Sequence, residues 1–258
     1  MIAYYNHTPI YYKVYGNGPA LVLLHGFLES STMWEMLIPK LSKKNKVITL
    51  DLPGHGNSGC ISETHTMELM AEVVNTIMEN LNITRANFMG HSMGGYVILA
   101  YVEKYNTKVN KLILLNSTTV EDSIERKQNR DRALSVLKTN PKTFIGFAMK
   151  NFFAESTRDK FTVEIEKLKN EALLFPLNGI TAAIKGMKHR KNRTQILKNF
   201  SQEKFFICGI EDPIIPISTS EKLAKLSKAK LFRVEGGHMS VYENYEEIVK
   251  ILHFIDFL

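Results

Sequence analysis

The chain has 258 residues, of which 44% are hydrophobic and 23% are charged, and this balance excludes a disordered or fibrous protein. Two cysteines are too few for a disulfide framework, and no apolar run approaches the roughly 20 residues of a membrane span. Lysine and arginine outnumber aspartate and glutamate by 33 to 26, and we interpret the net charge of +7 as background composition, because no nucleic-acid-binding motif accompanies it. The N-terminus lacks a basic segment followed by an apolar stretch, so we expect no signal peptide and a cytoplasmic protein.

The first 115 residues alternate between short apolar runs and amphipathic segments. Residues 10–15 are rich in tyrosine and valine and end at a turn signal at residues 16–19, which predicts an early antiparallel hairpin. Apolar runs at residues 20–24 and 46–50 predict strands that are covered on both faces. Further strands are predicted at residues 86–89 and 111–115, and helices at residues 31–41, 66–81 and 93–105. This alternation predicts a parallel sheet with helices on both faces.

After residue 116 the pattern changes, because only helical signals follow as far as about residue 193. Strands resume at residues 204–208 and 230–234, and a closing helix is predicted at residues 246–257. The simplest organisation is an α/β core that is interrupted by an all-helical insertion. The other predicted helices cover residues 124–137, 141–153, 161–174, 180–187 and 221–226.

The sequence Gly-His-Ser-Met-Gly-Gly at residues 90–95 lies between a predicted strand and a predicted helix. A G-x-S-x-G sequence in this context forms a sharp turn that lifts the serine hydroxyl clear of the sheet. Side chains two residues to either side of the serine would collide in such a turn, and Gly90 and Gly94 remove them. Ser92 is therefore the predicted nucleophile.

A serine hydroxyl needs a general base, and the base needs an acid that orients it. Asp212 follows the predicted strand at residues 204–208, and His238 lies in a glycine-rich loop after the strand at residues 230–234. Because catalytic groups gather at the carboxyl ends of the strands in such sheets, we expect Ser92, Asp212 and His238 to lie together. Glu211 is the rival for the acid, and weaker candidates for the base are His7, His55, His65, His91, His189 and His253.

Acyl transfer also needs hydrogen-bond donors for the oxyanion that develops on the substrate carbonyl. One predicted donor is the backbone N–H of Met93, the residue after the nucleophile. The second is the N–H of Phe27, in the loop His25-Gly26-Phe27 that follows an early predicted strand.

These pieces together resemble the α/β-hydrolase superfamily, in the branch of small esterases, lactonases and C–C bond hydrolases. The resemblance rests on residues 25–27, 51–58, 90–95, 209–216 and 237–238. It implies an α/β-hydrolase fold, with a mostly parallel sheet flanked by helices and an all-helical cap. The core is then expected at residues 1–116 and 194–258, and the cap, or lid, at residues 117–193. The loop at residues 51–58 is interpreted as shaping the fold rather than as catalytic.

The resemblance implies a serine hydrolase that cleaves a small carboxylic ester, with an apolar acyl or alcohol part, through an acyl-enzyme. Serine at position 92 disfavours the dehalogenase and epoxide-hydrolase relatives, which carry an aspartate nucleophile. A hydroxynitrile-lyase relative would share the serine and remains open. Tyr96 after the glycines weakens a menaquinone-pathway synthase assignment, because that family favours an arginine soon after them. The alternatives are a C–C bond hydrolase, which would need cationic groups such as Arg190 or Arg193 in its pocket, and a ligand-binding module without turnover.

Apolar residues of the predicted cap, and those beside the acid and the base, are candidates for the substrate pocket. The basic run at residues 185–193 is interpreted as a solvated helix end. No cluster has metal-ligand spacing and no loop has the phosphate-binding form, so we expect no metal and no cofactor. The oligomeric state and the identity of the substrate stay open. The pocket candidates are Phe144, Phe147, Phe152, Ile214 and Met239.

Overall fold

A computed structural model describes all residues from 1 to 258. The strands form one eight-stranded sheet in the order β1-β2-β4-β3-β5-β6-β7-β8. The strand β2 pairs with β1 and with β4 in the antiparallel sense, and all the other pairs are parallel. The predicted mostly parallel sheet is therefore confirmed. The strands are β1 (Ile2–Tyr5), β2 (Thr8–Tyr15), β3 (Ala20–Leu24), β4 (Lys46–Leu50), β5 (Ala86–His91), β6 (Val109–Leu115), β7 (Glu203–Gly209) and β8 (Lys230–Val234).

Eleven α-helices flank or cover this sheet, and none has the length and apolar character needed to cross a lipid bilayer. Two short 3₁₀ turns lie at Ser31–Trp34 and Asn106–Lys108. The helices are α1 (Ile38–Leu41), α2 (Met67–Asn80), α3 (Met93–Tyr105), α4 (Ile124–Thr139), α5 (Pro141–Phe152), α6 (Thr162–Ala172), α7 (Leu177–Lys188), α8 (Thr194–Asn199), α9 (Ile217–Ser227), α10 (Ser240–Glu243) and α11 (Tyr245–Phe254).

The central strands bury both of their faces, which explains their continuous apolar sequences. In β3, Leu21 and Leu23 face one apolar core, and Val22 and Leu24 face the other. This alternation follows from the two-residue period of a strand. Helices α2 and α3 contribute to the larger core, and α1 and α11 contribute to the smaller one. The sheet thus lies between two layers of helices.

Two early predictions are wrong in detail. The hairpin partner of β2 is β1, across a turn at Asn6 and His7, and the glycine-rich segment 16–19 leads to β3 without forming a hairpin. The single helix predicted at residues 31–41 is a 3₁₀ turn followed by the short α1. Pro39 explains the interruption, because proline lacks an N–H and its ring clashes with the preceding helical turn.

Five helices, α4–α8, and no strand lie between β6 and β7. Helix α4 packs against α5 and α7, and the segment also contacts the loops of the sheet. The His65 N–H donates to the carbonyl of Ala182 in α7 at 3.0 Å, and a Cβ on Gly179 would lie 2.5 Å from the Cα of Gly54. These close backbone contacts hold α7 against the loop that follows β4.

Candidate active site

Ser92 lies at the sharp turn between β5 and α3. Its φ of +48° and ψ of −111° are unusual for a residue with a side chain and indicate a strained backbone. A Cβ on Gly94 would lie 2.2 Å from the carbonyl oxygen of Leu24, and a Cβ on Gly90 would lie 2.5 Å from the carbonyl carbon of Gly94. Both glycines are thus required for the turn to pack against β3.

Ser92, His238 and Asp212 form one continuous line of hydrogen bonds. The Ser92 Oγ is 2.8 Å from His238 Nε2, and His238 Nδ1 is 2.8 Å from Asp212 Oδ2. A carboxylate accepts only, so Nδ1 carries the proton and Nε2 is left to accept from the serine hydroxyl. The three side chains come from loops after β5, β7 and β8 and are nearly enclosed. Ser92 keeps 9% of its surface exposed, which leaves its hydroxyl within reach of a ligand.

The Asp212 carboxylate accepts four hydrogen bonds. Its Oδ1 accepts from the N–H groups of Ile214 and Ile215 at 2.8 and 2.9 Å, and its Oδ2 accepts from His238 and from Asn116 Nδ2 at 2.9 Å. Burial alone would raise the pKa of this carboxyl, but His238 and these donors hold the pKa below its ordinary value. Asp212 is therefore ionised at neutral pH and fixes the His238 ring.

Two backbone N–H groups in the loop after β3 and at the start of α3 have no partner within the chain. They belong to Met93, the first residue of α3, and to Phe27, in the loop after β3. His25 orients the second group. Its Nε2 accepts from the Leu52 N–H at 2.8 Å, so its Nδ1 donates to the Gly26 carbonyl at 2.7 Å. Because the C=O and N–H of one trans peptide point in opposite directions, this bond turns the Phe27 N–H the other way.

A second buried pair, Glu29 and His91, lies beneath the same loops. His91 Nδ1 is 2.9 Å from Glu29 Oε2, and His91 Nε2 is 2.8 Å from the His238 carbonyl. Both partners are acceptors, so both ring nitrogens carry protons and His91 is an imidazolium. Glu29 also accepts from the Gly26 N–H at 2.6 Å. The pair therefore ties the loop of His25 to the loop of His238.

The charges of this pair are maintained against burial. Burial by itself would raise the pKa of Glu29, but the attraction of His91 and the bond from Gly26 hold that pKa below its ordinary 4.5. Burial would likewise lower the pKa of His91, yet Glu29 and the His238 carbonyl raise it above its ordinary 6.5. Sequence reasoning missed Glu29 and Asn116, because neither belongs to a recognisable motif.

Replacing Glu29 by glutamine is expected to reduce the free energy of unfolding by about 3 kcal/mol near pH 6. The loss should shrink above pH 6.5, because the stability from a raised histidine pKa disappears as pH rises through that pKa. It should also shrink below pH 4.5, as Glu29 protonates on the way down to its lowered pKa. Urea unfolding at pH 5.5 and pH 9 measures this, with the exposed Glu63→Gln as control. A loss that is independent of pH would contradict the ion pair.

A cavity of about 280 Å³ opens between the loops that carry Phe27 and Ile214 and helices α4, α5 and α7. Its size is at the small end of the range for ligand sites in proteins. Five of its nine lining residues are apolar, and polar side chains of α4 also line it. The lining includes Phe27, Phe144, Ile184 and Ile214, with Arg126, Asn129 and Arg130 of α4.

Comparison with known proteins places this geometry in a family. The model of the alpha/beta hydrolase fold family matches residues 19–245, which is most of the chain. The chain belongs to the α/β-hydrolase fold family. The predicted fold class and the resemblance to this superfamily are thereby confirmed.

Several characterised members of the α/β-hydrolase fold are similar over nearly their whole length. An esterase from Thermogutta terrifontis has a TM-score of 0.90 and 29% identity, covering 95% of this chain and 92% of that chain. The 3-oxoadipate enol-lactonase 1 of Acinetobacter baylyi is 26% identical over 91% of this chain and 87% of its own. An enol-lactonase structure from Burkholderia xenovorans LB400, with a TM-score of 0.91 and 22% identity, shares the fold over 100% of this chain and 99% of that chain.

The predicted pocket residues separate into three groups. Phe144 and Ile214 line the cavity. The Phe152 ring packs 5.7 Å from the His238 ring, and Met239 is fully buried in the larger core, so neither forms the cavity wall. Phe147 is 72% exposed and does not line this cavity, so its place in a pocket stays a prediction. The apolar residues of α5 occupy too much of its circumference for the sequence pattern to identify the inward face.

The structure does not support the interpretation of the basic run at residues 185–193 as a solvated helix end. The side chains of Arg190 and Arg193 are buried, and Arg193 pairs with Glu68 and Glu103 at 2.6 and 2.8 Å. Arg190 pairs with Asp122 at 2.6 Å. Neither arginine lines the cavity. Both instead join the segment after α7 to the rest of the chain.

Proposed function

We propose that this protein is a serine hydrolase of small carboxylic esters, with Ser92 as nucleophile, His238 as general base and Asp212 as the orienting acid. One observation carries the proposal. Ser92, His238 and Asp212 are joined by hydrogen bonds, while the N–H groups of Met93, the next residue after Ser92, and of Phe27, in the loop after β3, have no partner in the chain. Nucleophile, base, acid and oxyanion donors are the set of parts that acyl transfer requires.

The reaction follows from these positions. Ser92 Oγ attacks the ester carbonyl carbon while its proton passes to His238 Nε2, and the N–H groups of Phe27 and Met93 stabilise the oxyanion. Asp212 stabilises the imidazolium. The alcohol leaves with the proton of His238, and an acyl-enzyme on Ser92 remains. A water molecule then gives a proton to His238 and attacks the acyl carbon, which releases the acid and restores Ser92.

Residues 117–193 act in this proposal as a cap over the core formed by residues 1–116 and 194–258. The cavity supports this division, because Phe144 and Ile184 come from the cap while Phe27 and Ile214 come from loops of the core. The end of α5 also reaches the base, since the His238 N–H donates to the Phe152 carbonyl at 2.9 Å. The cap therefore forms part of the cavity wall and is hydrogen-bonded to the His238 loop.

The similar proteins support ester-type chemistry. The Thermogutta protein is an esterase, and the Acinetobacter protein is an enol-lactonase. A lactone is a cyclic ester, so one nucleophile and one oxyanion site serve both. The C–C hydrolase alternative needs cationic groups in the pocket. Arg190 and Arg193 are engaged in buried ion pairs outside the cavity, whereas Arg126 and Arg130 line it, so assays on esters decide between the two chemistries.

Initial rates on p-nitrophenyl acetate, butyrate and octanoate test the proposal. The small cavity is expected to favour acetate and butyrate over octanoate in kcat/KM, because a longer acyl chain exceeds its volume of about 280 Å³. The rate with Ser92→Ala measures ester hydrolysis that does not depend on the Ser92 hydroxyl. If none of the three esters turns over faster with the wild type than with Ser92→Ala, the esterase proposal fails.

A further inference from the structure

One carboxylate, Asp122, faces three guanidinium groups in the cap. Arg130 Nε is 2.7 Å from Asp122 Oδ2, Arg190 Nη1 is 2.6 Å from Oδ1, and Arg126 Nε is 3.4 Å from Oδ1. No other acidic side chain forms an ion pair with any of these arginines. The Asp122 side chain is fully buried. Three positive charges against one negative charge leave an excess of two positive charges in this cluster.

The three arginines differ in the hydrogen bonds that their other guanidinium N–H groups make. Arg190 is structural, because its Nε and Nη1 also donate to the carbonyls of Val120 and Met187, and it lies 4.3 Å over the Tyr96 ring. Arg126 donates from Nη1 to the Ile214 carbonyl at 2.8 Å. Arg130 donates only from Nε, to Asp122, and both of its terminal nitrogens lack a partner in the chain.

Arg126 and Arg130 line the cavity, and Arg190 does not. The positive charge of the cluster therefore faces the same space as Phe27, whose N–H is the proposed oxyanion donor. The opposing surfaces are apolar, from Phe144, Ile184 and Ile214. A ligand in this cavity contacts Phe27, apolar side chains and the free guanidinium N–H groups of Arg130.

We propose that Arg126 and Arg130 form an anion subsite, and that the preferred substrates are esters or lactones whose acyl part carries a second, ionised carboxyl group. This inference rests on the proposed ester hydrolysis and names its substrate class. The two terminal nitrogens of Arg130 match the two oxygens of a carboxylate. The bound carboxylate also offsets excess positive charge that the cap leaves unpaired.

Monoethyl adipate and ethyl hexanoate test the inference, because they share a six-carbon acyl part and differ in the terminal carboxylate. Rates of acid release are measured at constant pH for the wild type and Arg130→Met. The wild type is expected to show the lower KM for monoethyl adipate. Arg130→Met should reduce this preference, as a ratio of KM values, by about tenfold or more, the range of a charge-assisted hydrogen bond. Asp122 keeps its Arg190 partner in this variant.

Arg132 provides the matched control on the same helix. It is exposed, makes no ion pair and lies outside the cavity, so Arg132→Met should leave the KM ratio unchanged. Arg130→Lys keeps the charge but not the two-pronged geometry, and it should restore part of the preference. Unchanged KM ratios in Arg130→Met would overturn the anion subsite.

A binding measurement separates failure of this inference from failure of the proposed hydrolysis. Titration calorimetry of monoethyl adipate into Ser92→Ala reports the subsite without turnover, and adding Arg130→Met to this variant should weaken binding about tenfold or more. If the wild type hydrolyses neither ester but this binding loss is observed, only the ester chemistry fails. Equal binding of monoethyl adipate with and without Arg130, or tighter binding of inorganic phosphate than of monoethyl adipate, would overturn the carboxylate subsite.

Discussion

Replacing Ser92 by alanine is expected to lower kcat for p-nitrophenyl butyrate by about 10⁴ or more. The variant removes the only group that His238 Nε2 contacts at 2.8 Å, so no acyl-enzyme forms. What remains is the stabilisation from the oxyanion donors acting on attack by water. Stopped and continuous assays of p-nitrophenol release measure the loss.

The control for this change is Ser201→Ala, at an exposed serine just before β7 that makes no hydrogen bond to Ser92, Asp212 or His238, and it should keep the wild-type rate. The fold of Ser92→Ala is checked by its unfolding midpoint, because the alanine still has to adopt the positive φ of the turn. A folded Ser92→Ala protein that retains a tenth of the wild-type kcat would contradict the role of Ser92.

Replacing Asp212 by asparagine should lower kcat by about 10⁴. An amide at this position presents N–H groups where Oδ2 now accepts from His238 and Asn116, so donors would face donors. His238 then favours the tautomer with its proton on Nε2, which cannot accept the proton of Ser92. Steady-state rates on p-nitrophenyl butyrate near neutral pH measure the loss.

Glu211 gives the matched control, because it is the neighbouring carboxylate and was the rival for the acid. Its side chain is exposed and accepts a hydrogen bond from Ser156 at 2.7 Å, and it makes no bond to His238. Glu211→Gln should therefore remain within about twofold of wild type, as surface substitutions usually do. A large loss of kcat in Glu211→Gln together with a small loss of kcat in Asp212→Asn would show that Glu211, and not Asp212, is the acid.

The parts of the fold that were predictable from sequence are those with strong local patterns. The apolar runs at residues 20–24 and 46–50 coincide with β3 and β4, and residues 93–105 coincide with α3, because buried strands and helices show their environment in their own sequence. The partner of β2 was not predictable, since pairing depends on the path of the whole chain. The short helices α8 and α10 span too few residues to show a period.

The candidate site also has residues that were predictable from the sequence and residues that were not. Ser92, Asp212 and His238 could be associated because each follows a predicted strand, and the loops after parallel strands share one edge of the sheet. Asn116 contacts Asp212, and Glu29 contacts His91 and Gly26, through tertiary packing alone, and no local pattern marks either residue. The same holds for Arg130, which sits in a strongly charged helix with no apolar stripe to orient it. Charged helices give no periodic signal from which an inward face can be read.

The most direct test of the central claim is mass spectrometry of the protein after reaction with a fluorophosphonate probe. The serine oxygen attacks phosphorus and fluoride leaves, so the probe reports an activated nucleophile whatever the natural substrate is. We expect one adduct on the wild type, on the peptide that contains Ser92. This adduct should be absent in Ser92→Ala and should form much more slowly in His238→Ala. No adduct on the wild type, or an adduct on a different residue that persists in Ser92→Ala, would contradict the central claim.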